Sequence, residues 1–314
     1  MTQYFKIMEC HGLFVWEEIT LTNQTKADLM LLAVTVFWGA SYMLTKIALD
    51  VLEPFNLTAL RFLIAFAVSA LVFYKNILKS DIRTIKYSLI LAVILVGMFI
   101  SMSFGLKYTT ASNAGFLISL AVIIIPILSY VFLKQKIEKR VLIGVCIAPI
   151  GIALLTLNSQ LSVSGGDLLC ILCAFLSALH VVVMGVFTRK VDSIALGVLQ
   201  LGFAGILSIV FSLFTETVSL PSTGISWGAT LALSILCTAF GYIVQATAQQ
   251  YTSATHTGLI LSLEPVFSAI LGFAFLREIL SPRGYFGAAI LLLSVLIAEV
   301  GFKKRDAEAK EIDI

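Results

Sequence analysis

Read from the N-terminus, the chain is a succession of apolar runs of about 20 residues separated by short polar or charged stretches. Ten such runs stand out, at residues 28–50, 54–74, 86–107, 112–133, 140–157, 167–188, 193–214, 226–248, 255–276 and 283–302. About 20 apolar residues let an α-helix cross a ~30 Å hydrocarbon layer, so the pattern predicts ten transmembrane helices. The fifth run is the shortest and contains Gly144, Pro149 and Gly151, but its Val/Leu/Ile positions continue to Asn158. No ten-residue segments alternate apolar and polar positions, which excludes an outer-membrane barrel. Only Asn158 to Gly166 and Thr215 to Ser226 have the composition of longer loops.

Composition sharpens this picture. Of 314 residues, 59% are hydrophobic and 12% charged, about half the charge that wets an average soluble domain. Mean hydropathy is +1.02. The predicted fold class is therefore all-α and polytopic, with the lipid bilayer as its surroundings. A net charge of +3 gives no reason to expect a nucleic-acid partner, but the location of the charges is informative. Sixteen of the 21 Lys and Arg residues fall in loops on one side, three (Lys107, Arg277, Arg283) on the other, and Lys46 and Arg61 within runs. By the positive-inside rule both termini are cytoplasmic and the expected location is a bacterial cytoplasmic membrane, crossed many times. Residues 1–27 read as a cytoplasmic extension: Glu9, Glu17 and Glu18 interrupt any signal-peptide core. Residues 303–314 read as a cytoplasmic tail. Cys170 and Cys173 have metal-like spacing, but no second pair completes a site, so no metal or cofactor is expected.

The chain also repeats itself. At an offset of 143 residues Tyr108, Thr109 and Ala111 fall on Tyr251, Thr252 and Ala254, and Gly115, Ser119 and Leu120 on Gly258, Ser262 and Leu263. Ile127, Leu128, Phe132 and Leu133 fall on Ile270, Leu271, Phe275 and Leu276. The match joins runs four and five to runs nine and ten, so each repeat holds five runs: 28–157 and 167–302. An odd number of spans forces the second copy into the membrane upside down. Inverted repeats are an architecture of secondary transporters, with the substrate near the midplane; channels can be built in the same way.

Phe37-Trp38-Gly39-Ala40-Ser41-Tyr42, the stretch from Pro54 to Arg61-Phe62, and Leu263-Glu264-Pro265-Val266-Phe267 followed by Arg277-Glu278 resemble the EamA family of the drug/metabolite transporter superfamily, over roughly residues 28 to 302. The resemblance implies ten helices in two inverted five-helix repeats, a central cavity lined mainly by helices one, three, four, six, eight and nine, and export or exchange of small metabolites. Repeat one departs from repeat two, with Ala121-Val122 opposite Glu264-Pro265 and Lys134-Gln135 opposite Arg277-Glu278.

Phosphate loops and HExxH are absent, and the runs hold one carboxylate near mid-membrane, so neither an ATPase nor an intramembrane protease is expected. The expected activity is gradient-driven transport of small metabolites such as amino acids or amphipathic compounds, with a passive channel or facilitator as the alternative. Protons are the candidate coupling ion; oligomeric state is not readable. Glu264 would sit near the bilayer centre, where charge is costly. It is either a coupling carboxylate or a brace for the helix break at Pro265. Pro126 is expected to mark the corresponding kink in repeat one. Trp38, Tyr42 and Phe99, with Tyr242 and Gln245, would give an aromatic cavity with polar handles, joined by Asn113 and His180. Arg61 reads as a structural charge.

Overall fold

The computed structural model describes residues 5–10, 13–18, 22–108, 114, 117–134, 137–156, 165–276 and 281–312. Helix α1 spans Asn23–Leu49, α2 Pro54–Val72, α3 Tyr74–Leu78, α4 Ile82–Tyr108, α5 Ala121–Leu133 and α6 Lys139–Thr156. The second half holds α7 Gly165–Phe187, α8 Ser193–Thr215, α9 Gly224–Ala248, α10 Ala254–Leu261, α11 Glu264–Leu276 and α12 Pro282–Ile312. Six of these, α1, α2, α4, α7, α8 and α9, are long and apolar enough to cross a membrane among the described residues. The other four expected runs also hold helix, shorter or interrupted: α5, α6, the α10/α11 pair, and α12, whose apolar part ends at Ile297.

Two features flank the bundle. Ahead of α1, Phe5–Cys10 (β1) and Leu13–Glu18 (β2) pair antiparallel, with Phe5 opposite Glu18 and Cys10 opposite Leu13. Ile7, Phe14, Val15 and Trp16 favour extended backbone, so a short hairpin precedes an otherwise helical fold. At the other end α12 runs to Ile312, so the last helix continues into the segment 303–314.

The distribution of side chains is that of a membrane protein. Phe214 is 85% exposed and Leu71 79%, and Val93, Phe132, Leu168 and Leu296 also face outward. Gln200, Gln245, Gln249, Ser234 and Thr257 are wholly buried. Such an inverted arrangement is stable only where the surroundings are apolar.

Close contacts between backbones set the packing. The tightest pairs are α6 with α12, α4 with α7, α2 with α8 and α1 with α9. In run numbers these are five with ten, three with six, two with seven and one with eight, a set that is unchanged when the two halves are exchanged. Glycines permit the approach. A Cβ on Gly144 would lie 2.7 Å from the Ser294 carbonyl oxygen, and one on Gly151 2.8 Å from the Leu291 nitrogen.

The halves also share a backbone interruption. Between α10 and α11 the chain turns at Ser262 and Leu263, where the Leu263 N–H bonds three residues back to Ile260 and Val266 bonds back to Leu263. At the same place in the first half, Leu120 bonds back to Leu117 and Ile123 to Leu120. The first break therefore lies at Leu120, and Pro126 is inside α5. The tightened three-residue bonds thus lie ahead of Pro126, at Leu120 and Ile123.

Candidate functional site

The site grows from α9. Residues Leu233–Phe240 of this helix are π-helical, a wider turn whose occurrence often accompanies function. Within it the Thr238 hydroxyl donates five residues back to the Leu233 carbonyl at 2.8 Å. The Cys237 carbonyl accepts the Trp38 indole N–H at 2.7 Å, and the Cys237 thiol donates to the Phe37 carbonyl. Only glycine at 241 lets the indole this close, since any Cβ there would collide with Trp38 Nε1. Trp38 is thus held by the opposing helix, away from lipid.

Around that contact an aromatic cluster forms. Tyr242 lies 5.3 Å from Trp38 and 5.6 Å from His180, centroid to centroid. Phe62 and Phe99 pack edge to face at 5.0 Å, each 6.4 Å from Tyr242. Such tilted and edge-to-face pairs suit aromatic quadrupoles. Arg61, 3% exposed, donates through Nε to the Thr238 hydroxyl and lies over the Phe99 ring at 4.6 Å. Glu264 is within electrostatic reach of it. Arg61 therefore points inward and ties α2 to the π-helical turn of α9.

On the other side of Trp38, a cavity of about 60 Å³ is lined by Ser119, Ser177, Gly258, Ser262 and Glu264 among others. Its volume holds about two waters. It sits where the two backbone interruptions approach one another, Leu120 in the first half and Leu263 in the second. Glu264 opens α11 with Pro265 immediately after it, so the missing proline N–H falls in the first turn, where helix N–H groups have no intrahelical acceptor.

Polar contacts join helices at both ends of the bundle among the described residues. At one, Glu216 accepts the N–H groups of Phe55 and Asn56 at 3.0 and 2.8 Å, capping α2, and Asn56 donates to the Ser219 carbonyl. At the other, His256 Nε2 meets Asp28 at 3.0 Å, Gln24 bonds both Asp28 and Thr252, and Arg189 donates to the Thr252 carbonyl. A pocket of about 250 Å³ opens beside Arg189 and Lys190, reaching Gly185 and Ala254.

Of the residues expected at the site, Trp38, Phe99, His180, Tyr242, Gln245, Arg61, Glu264 and Pro265 lie in this central region, whereas Pro126 does not. It lines a separate, largely apolar cavity of about 510 Å³ between α5 and α6, with Tyr130, Cys146 and Pro149. The Tyr42 side chain and Asn113 lie outside the described residues. Sequence reading missed Thr238, Gln200 and Gln249. Thr238, Tyr242, Gln245 and Gln249 are spaced by four, three and four residues, one face of a helix, and that polar stripe was the signal that pointed to Thr238 and Gln249.

A family model for the EamA-like transporter family matches this chain twice, over residues 25–157 and 164–299. A protein of Archaeoglobus fulgidus named as an uncharacterized transporter is 34% identical over 279 residues, covering 87% of this chain and 86% of its own. The Bacillus subtilis uncharacterized transporter YyaM is 30% identical over 285 residues, with 86% and 92% coverage. A solved crystal structure superposes with a TM-score of 0.77 at 18% identity, over 89% of this chain and 98% of that one, a likeness of fold.

Proposed function

This chain belongs to the EamA-like transporter family and is a multi-pass membrane protein, and on that premise we propose that it is a gradient-driven secondary transporter working by alternating access. Ten spans form two inverted five-span repeats, with both termini cytoplasmic in a bacterial cytoplasmic membrane. Small amphipathic metabolites cross at the Trp38–Tyr242 cluster. The observation that carries this reading is the pair of matched interruptions at Leu120 and Leu263, which flank one small polar cavity.

Broken helices at a midplane site are how transporters expose backbone and side-chain polarity without exposing it to lipid. Here the cavity is too small for a metabolite, and polar contacts join the helices at both ends. That combination suits an occluded state, from which release of the Glu216 contacts or of the Asp28–His256 contact opens one side at a time. A channel needs both ends open together, and the arrangement offers no support for that.

Glu264 is the proposed coupling group and the proton the proposed coupling ion. Its position at the mouth of α11, facing the cavity and near Arg61, lets its charge state alter the electrostatics between the halves. The test is to find a stabilising metabolite by thermal-shift screening, since a ligand of the folded state raises the unfolding temperature. Its accumulation is then followed in proteoliposomes under an imposed pH gradient. Wild type should concentrate it against its gradient, and Glu264→Gln should bind it without concentrating it. Equilibration without accumulation by wild type would indicate a facilitator, and wild-type accumulation by Glu264→Gln would remove the coupling role.

A further inference from the structure

The polar stripe on α9 continues past the aromatic cluster. Beyond Thr238 and Tyr242 come Gln245 and Gln249, both 0% exposed. Gln249 donates to the Val181 carbonyl at 3.1 Å but its amide oxygen has no partner, and neither amide atom of Gln245 has one. On α8 the buried Gln200 bonds His180 Nε2 through its oxygen at 3.0 Å, while its nitrogen also lacks a partner. Four amide atoms on three glutamines are therefore buried with nothing to bond in the protein.

A buried donor or acceptor left unpaired is costly, and four in one region call for a polar occupant. The chemistry of that occupant can be read from the donors. Glutamine offers an acceptor and a donor side by side, and the two exchange places by rotating the amide. A ligand that itself pairs a neutral donor with a neutral acceptor satisfies these amides without burying a net charge. Tyr242, three residues before Gln245 on the same face, supplies aromatic surface with Phe62, Phe99 and Trp38. Gln249 approaches Gly185, a wall residue of the 250 Å³ pocket beside Arg189.

We propose that Gln200, Gln245 and Gln249 form the recognition subsite for the polar head of the substrate, and that this head is an uncharged donor–acceptor pair of the carboxamide type attached to an apolar or aromatic body. The inference rests on the transporter reading and narrows it to a substrate class. Two other charged groups compete for the choice. Arg61 would favour an anion, and Glu264 a cation.

Three probes of nearly the same shape separate the possibilities: benzamide, with a donor and an acceptor; benzoate, an anion with acceptors only; and benzamidinium, a cation with donors only. Binding to the purified full-length protein is measured by thermal shift and by calorimetry. Benzamide should bind at least about tenfold more tightly than either ion, because each ion leaves buried amide groups unpaired. Gln245→Met and Gln249→Met, which keep length and volume, should each erase that preference while leaving the unliganded melting curve cooperative. Should either methionine variant fail to fold, Gln249→Cys in the full chain provides a second measurement: reaction with a membrane-impermeant thiol reagent from the Arg189 side, slowed by benzamide but not by benzoate.

Tighter binding of benzoate would assign the head to Arg61, and tighter binding of benzamidinium would assign it to Glu264; either overturns the proposal. So does the absence of benzamide binding at millimolar concentration. None of these outcomes touches the transporter reading, which fails separately if no metabolite is moved by reconstituted protein.

Discussion

Replacing Gly39 by alanine tests whether α1 and α11 meet as closely as the structure requires. A Cβ at this position would lie 2.8 Å from the Ser268 nitrogen, 2.9 Å from Phe267 Cβ and 3.0 Å from the Phe267 carbonyl carbon. Ordinary contact begins at 3.4 Å, so the shortfall is roughly half an ångström, and two of the three opposing atoms are backbone. A flexible side chain could swing aside, but helix backbone must move as a unit. Shifting α1 by that distance loosens its other contacts with α11, and a radial gap of 0.5–1 Å forfeits about a quarter to a half of a dispersion well. Overpacking of this kind costs about 1–3 kcal/mol.

Gly228 is the control: it lies in α9 with nothing within 4 Å of an added Cβ. Alanine there removes only backbone freedom and should be neutral or stabilising by up to about 1 kcal/mol. Equilibrium unfolding in mixed micelles, followed by circular dichroism, should give changes of opposite sign. Equal effects for Gly39→Ala and Gly228→Ala, or no loss for Gly39→Ala, would refute the packing argument. A loss at Gly39 should also fall on transport, because Trp38 and Glu264 sit on the two elements being separated.

Other consequences can be checked more briefly. Trp38→Phe keeps a ring beside Tyr242 but leaves the Cys237 carbonyl without its indole donor, and should cost about 1–3 kcal/mol in the same unfolding assay; an unchanged midpoint would mean that this carbonyl finds water. Arg61→Lys should destabilise almost as much as Arg61→Met, since lysine cannot both reach Thr238 through an Nε and lie flat over Phe99; full rescue by lysine would reduce the role of Arg61 to charge alone. Reporter fusions after Lys79, Lys136 and Arg189 should read cytoplasmic, and fusions after Asn158 and Ser219 external. An external signal at Lys136 would contradict the proposed inverted arrangement.

Much of the molecule was legible because lipid imposes simple rules. A run of apolar residues must become helix, so Pro54–Val72 and Ser193–Thr215 fall within two residues of where hydropathy puts them. The π-helical turn at Leu233–Phe240 was not legible, because its composition is that of any buried helix and only the i−5 bond of Thr238 reveals it. The position of the interruption in the first half was not legible. Pro126 lies inside α5, while the change to three-residue bonds occurs at Leu120, a residue with no conformational signature. The hairpin at Phe5–Glu18 was not sought in a segment read only as an extension, although its aromatic and β-branched residues favour strand. Glutamines 200 and 249 were passed over one at a time, since a single amide in an apolar run carries little information; their meaning comes from being brought together by the pairing of α7, α8 and α9.

The π-helical turn gives α9 a sensitivity that its composition conceals. Each residue of an α-helix turns the chain by about 100°, so the direction in which Tyr242, Gln245 and Gln249 face is fixed by how many residues are spent between Leu233 and Phe240. Removing one residue there would alter length and hydropathy very little, yet it would swing the whole amide stripe about a quarter of a turn, away from His180 and Arg61 and toward an adjoining helix or lipid. The span therefore works as a dial as well as a wall. A single insertion or deletion in that short stretch would re-aim the amide stripe while the rest of the bundle keeps its sequence.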